Sequence, residues 1–140
     1  MADIYQSQVV SWNLTKRCNL RCEHCYISAG RIGREEAAGE LTTDECLAVV
    51  DQLCEVNPEA LLILTGGEPL VRNDLEELAR YAVSQGATVV VGTNGVGLTT
   101  KRVASLAEAG VTGVAGVEAG RGVGTSRVRL LHVTKRVANF

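Results

Sequence analysis

This sequence predicts an α/β fold built on a parallel sheet, and three observations carry that prediction. Short runs of apolar, β-forming residues alternate with amphipathic stretches that open on helix-capping residues. The connections between them are short, as βα units require. Each of the first three strand candidates also runs directly into a loop rich in cysteine or glycine. In a parallel sheet, whether open or closed into a barrel, such loops share the carboxyl edge, where these folds bind ligands.

Val9 to Leu14 is rich in β formers and reads as the first strand, and the cysteine loop follows at once. Ser28 to Gly39, with three glycines and mixed charge, reads as an exposed loop. Thr42-Thr43-Asp44-Glu45 is a capping box that opens a helix to about Glu55, and Asn57-Pro58 ends it. Ala60 to Leu64 is continuously apolar, as expected of a strand buried on both faces. Asn73 with Glu76 makes a second capping pattern, for a helix over roughly Asp74–Gln85 closed by Gly86. Thr88 to Val91 is a third strand, Thr99 or Thr100 opens a third helix through Ala109, and Gly110 closes it. Val111 to Val117 is a glycine-interrupted fourth strand candidate.

Bulk properties bound the function. With one Trp, one Phe and three Tyr in 140 residues, the core of this single domain is aliphatic. The net charge of −2 gives no sign of nucleic acid or an anionic membrane as partner. The first residues lack a basic and then apolar leader, and no apolar run is long enough to span a membrane. A reducing cytoplasm is therefore the expected compartment, and there clustered cysteines bind metal more often than they pair. Five cysteines is also an odd number for a disulfide framework.

Three motifs carry the candidate chemistry. Cys18-x3-Cys22-x2-Cys25 puts three thiols within eight residues, enough to hold three corners of a cubane iron–sulfur cluster and leave one iron open. The same spacing admits a zinc site or reduced cysteines without a ligand. Zinc would need a fourth donor, for which only His24 is near. Cys46 and Cys54 lie on one helical face and read as buried thiols. Gly66-Gly67-Glu68-Pro69 follows the second strand; its glycines allow close backbone approach, and its carboxylate can accept from an ammonium group. Alone it also reads as a strand-ending turn. Gly92-Thr93-Asn94-Gly95 follows the third strand, and Asn-Gly is a turn signal in its own right.

Together, in this order at strand ends, the three motifs resemble the radical S-adenosylmethionine (radical SAM) enzymes over roughly residues 9–117. The wording from Trp12 to Tyr26 is most similar to the subgroup that modifies peptides or tetrapyrroles in cofactor biosynthesis, such as the coenzyme PQQ and haem d1 maturases. The resemblance implies the first part, about three and a half βα units, of a partial (β/α)6 barrel. It implies that Cys18, Cys22 and Cys25 ligate a [4Fe–4S] cluster whose open iron takes the amino and carboxylate groups of S-adenosylmethionine. Glu68, with the Gly66-Gly67 backbone, would hold the methionine ammonium. His24 would pack near the adenine, or serve as an ordinary structural histidine. Asn94 would line the cofactor edge, or only make its turn. The implied oxidoreductase chemistry is one-electron, fed by a donor such as flavodoxin or ferredoxin, with no catalytic side chain beyond the cluster and cofactor site.

The chain departs from that pattern after Val117. Residues 1–118 carry nine Lys or Arg against all sixteen Asp and Glu, whereas residues 119–140 carry five Lys or Arg and no acid. The reversal points to a frameshifted or artificially ended reading, or else to a genuine short terminus that packs on a partner. A half barrel of this kind is expected to leave a sheet edge and an apolar face uncovered. A non-enzymatic metal carrier and an inactive fragment are the competing functions.

Overall fold

The computed structural model describes residues 8–22, 25, 27, 30–31, 38–119 and 126–132. Four strands, β1 (Val9–Thr15), β4 (Leu61–Gly66), β5 (Thr88–Thr93) and β6 (Gly113–Ala119), lie parallel in that order. Between them run helices α1 (Thr43–Val56), α2 (Leu75–Ser84) and α3 (Thr100–Glu108). Two short segments, β2 (Arg17–Cys18) and β3 (Gly30–Arg31), pair in parallel at the root of the cysteine loop. The alternation expected from the sequence is therefore present, and the first three strands each lead into one of the three motifs.

Local chemistry explains the helix ends. Thr42 caps α1 by accepting from Glu45 N–H, while the Glu45 carboxylate accepts from Thr42 N–H at 2.8 Å, so the capping box is complete. The pattern expected at Asn73 is not used. The N-cap of α2 is Asp74, and it caps nothing with its side chain, because that carboxylate is held by Arg72 and Thr43. Gly86 and Gly110 close α2 and α3 with φ of +101° and +92°, conformations that favour glycine.

The core lies between the sheet and the helices. Leu62, Leu64, Val89, Val91 and Val114 of the strands pack with Cys46, Val50, Leu75, Leu78, Ala79, Ala82 and Leu106 of the helices. The expectation that the second strand is buried on both faces is corrected by this packing. In β4, Leu62 and Leu64 are buried, but Leu61, Ile63 and Thr65 are only half-buried. Helices cover one face of the sheet. The other face carries the half-buried Leu61, Ile63 and Thr65 of β4.

The sheet extends one strand beyond β6. Residues 126–132 form β7 (Ser126–His132), antiparallel to β6 from Gly113↔His132 to Ala119↔Ser126. Backbone pairing asks little of side-chain identity, so the basic segment supplies the hydrogen bonds that β6 would otherwise leave open. Among the described residues, no helix is long and apolar enough to cross a membrane.

Candidate functional site

The site forms where β1, β4 and β5 end. Leaving β4, Gly67 N–H donates to Thr15 O at 2.7 Å and Glu68 N–H donates to Arg17 O at 2.8 Å. The glycine loop is thus zipped onto the backbone that leads into Cys18. A Cβ on Gly67 would stand 2.2 Å from Arg17 O, and one on Gly66 (φ +137°) 2.4 Å from Thr15 O. Both glycines are required by this close approach of the chain to itself.

Glu68 is completely buried, at 0% exposure. Its Oε1 accepts from Leu70 N–H at 3.0 Å and from the Thr93 hydroxyl at 2.7 Å. Its Oε2 accepts from Asn94 N–H at 2.7 Å. One carboxylate therefore joins the loops after β4 and β5, and it lies behind the cavity lining rather than on it. Thr93 in turn accepts from Gly95 N–H at 3.0 Å, which holds the Asn-Gly turn beneath Glu68.

Asn94 completes the link to the cysteines. Its Oδ1 accepts from Val96 N–H at 3.0 Å, making the turn expected of it. Its amide donates to Asn19 Oδ1 at 2.7 Å and to Cys18 Sγ at 3.8 Å. Asn94 thus makes the expected turn and also lines the cavity beside the cysteines.

Cys18, Cys22 and Cys25 form no disulfide, Cys22 being exposed and the other two partly covered. They line one cavity of about 300 Å³ together with Gly66, Gly67, Thr93 and Asn94. Three soft thiol donors lining one cavity with a glycine-rich stretch of backbone suit a cluster with a small molecule beside it. The cysteines share a wall rather than a point: among the described residues, no three Cys, His, Asp or Glu side chains form a ready single-ion site. His24 lies outside the described residues.

A second group, missed in the sequence, fixes the root of the cysteine loop. Arg17 grips Glu40 through Nε–Oε1 at 2.9 Å and Nη2–Oε2 at 3.0 Å, and the Thr15 hydroxyl donates to the same carboxylate. Buried Arg72 is bidentate on Asp74, at 2.8 and 2.6 Å, and its Nη1 donates to Leu14 O and Leu41 O. Burial pushes the Glu40 carboxyl up, but hydrogen bonds from Arg17 and Thr15 and the nearby Arg17 and Arg72 charges outweigh it and hold the carboxyl below its usual range. Asp74 is likewise raised by burial and, on balance, lowered by Arg72 and Thr43. Nothing in the local pattern marks these residues, since Glu40 and Arg72 come from segments 32 residues apart and meet only in the fold.

Comparison with known proteins bears on the same region. A sequence model of the Radical SAM superfamily matches residues 12–119. Over 104 residues the chain is 44% identical to the AdoMet-dependent heme synthase of Methanosarcina barkeri, covering 74% of this chain and 29% of that protein. It is 39% identical over 102 residues to the pre-heme d1 synthase of Dinoroseobacter shibae, covering 73% of this chain and 24% of that protein. It is also 39% identical over 98 residues to the mycofactocin maturase MftC of Mycolicibacterium smegmatis, covering 70% and 24%. The fold matches the crystal structure of BtrN in complex with AdoMet and 2-DOIA, with a TM-score of 0.64 at 22% identity, over 89% of this chain and 49% of that one. The chain thus spans between 24% and 29% of the length of these curated relatives.

Proposed function

This chain belongs to the radical SAM superfamily, and from that premise we propose that it binds a [4Fe–4S] cluster through Cys18, Cys22 and Cys25 with S-adenosylmethionine beside it, for hydrogen abstraction from a peptide or tetrapyrrole-type substrate. The observation that carries the proposal is the shared cavity, lined by Cys18, Cys22 and Cys25 together with the Gly66-Gly67 and Thr93-Asn94 loops. Once bound, the two groups would supply one-electron chemistry, the reductive cleavage of a sulfonium to a 5′-deoxyadenosyl radical.

The residues of the chain bind and orient. Cys18, Cys22 and Cys25 ligate as thiolates and leave one iron for the amino and carboxylate groups of S-adenosylmethionine. Gly66 and Gly67 line the cavity with backbone rather than side chain, which allows an ammonium group to approach the main chain closely. Glu68 is assigned to the same ammonium by the superfamily pattern, and its buried carboxylate holds the two loops in register. His24 is assigned to the adenine. The electron donor is of the flavodoxin or ferredoxin type, in a reducing cytoplasm where the thiols stay available.

Anaerobic reconstitution with iron and sulfide tests the proposal. The expected product is a brown protein whose visible charge-transfer absorption is lost in the Cys18→Ala/Cys22→Ala/Cys25→Ala variant. The EPR signal of the reduced cluster should change on adding S-adenosylmethionine, and 5′-deoxyadenosine should accumulate with a chemical reductant. Colourless protein carrying one zinc per chain would overturn it.

A further inference from the structure

Resting on the cluster reading above, we infer that Asn94 is a positioning residue that raises the electron affinity of the cluster by donating a hydrogen bond to the Cys18 sulfur. The orientation of its amide is settled by a neighbour that can play only one part. Val96 N–H can only donate, so the atom it meets at 3.0 Å is Oδ1, and the NH2 group must face the cysteine loop. There one proton goes to Asn19 Oδ1 at 2.7 Å and the other towards Cys18 Sγ at 3.8 Å. Leu20 N–H donates to the same sulfur at 3.4 Å.

The amide is aimed by the buried framework. Asn94 N–H is held at 2.7 Å by Glu68, a carboxylate itself fixed by Thr93 and Leu70. Cys18 is thus tied into the loop after β5, 76 residues away in the chain. An N–H dipole pointed at a ligand sulfur stabilises negative charge there, and a cluster gains one negative charge on reduction. The donor therefore favours the reduced form, and its removal moves the potential to more negative values.

The test is a redox titration of the reconstituted full chain, followed by EPR, for wild type, Asn94→Asp and Asn94→Ser. Asp keeps the oxygen that serves Val96 N–H but presents an acceptor to the sulfur. Ser keeps a short turn-forming hydroxyl that does not reach it. Both potentials are expected to shift negative, Asp further than Ser, at wild-type iron and sulfide content. Asn19→Ala, which leaves the Asn94 amide facing the sulfur, is expected to stay near wild type. Unchanged potentials in both loaded Asn94 variants would overturn the inference. So would loss of the cluster from both while wild type loads, which makes Asn94 a structural tie only. Failure of the wild-type chain to take up a cluster overturns the reading of the site itself, a different and distinguishable result.

Discussion

Behind the glycine loops, a fully buried carboxylate is answered by three donors of the protein itself, whereas across the same cavity Cys22 is exposed and Leu20 is 36% exposed. One wall is built from bonds that exist without any ligand. The other carries the three cysteine sulfurs proposed to hold the cluster. The contrast separates two tasks: the strand-end loops hold their shape in advance, so little ordering is left for binding to drive, and the proposed cluster binding falls to the cysteines.

The largest effect expected from breaking that contrast is at Gly67. Gly67→Ala drives a Cβ to 2.2 Å from Arg17 O, a rigid backbone atom. It should destabilise the chain by about 3 kcal/mol and lower cluster uptake, because the glycine wall and the cysteine root can no longer lie together. Denaturant unfolding of the chain, with iron content after reconstitution, checks both. Wild-type stability would show that the two walls are not packed as described.

Glu68→Gln comes next. It keeps the shape but sets an NH2 against donors that have no other partner, at a cost of about 2 kcal/mol. Thr93→Val, which removes the hydroxyl between Glu68 and Gly95, should cost about 1 kcal/mol. A neutral Glu68→Gln in the same unfolding assay would mean that the glycine wall is not preorganised by that carboxylate.

The smallest effect is on pH. Glu40 and Asp74 are held below their usual values of 4.5 and 3.8 in the folded chain, so the unfolded chain binds more protons in that range. Their contribution is present at neutral pH and is lost as pH falls through the ordinary carboxylate range towards the lowered values. Denaturation midpoints measured from neutrality to about pH 3 should fall, and Glu40→Gln should flatten part of the slope. An unchanged slope in that variant would remove Glu40 from the group that fixes the cysteine root.

The helix and strand order was legible because it is written in local terms. The Thr42 and Glu45 box, the Gly86 and Gly110 stops and the apolar runs of β4 and β5 each act within a few residues. Where a side chain had a distant partner, the local pattern misled. Asn73 with Glu76 reads as a cap, yet Asp74 takes the cap position while its carboxylate serves Arg72 and Thr43. Ala60 to Leu64 reads as buried on both sides because a run of apolar residues does not say which face the helices cover. The strand β7 that extends the sheet past β6 was not legible in the sequence, since pairing depends on backbone and leaves little trace in composition.

By itself, the sequence determined the βα order, the three loops at one sheet edge and the thiols that make a cluster the natural reading, all from spacing within short stretches. Only the tertiary structure decided that Glu68 bridges two loops, that Asn94 reaches Cys18, and that Glu40, Arg72 and Asp74 anchor the root of the cysteine loop. The reason is physical. A buried polar group must find a partner, and where chain distance is long, that partner is chosen by packing rather than by neighbours in sequence.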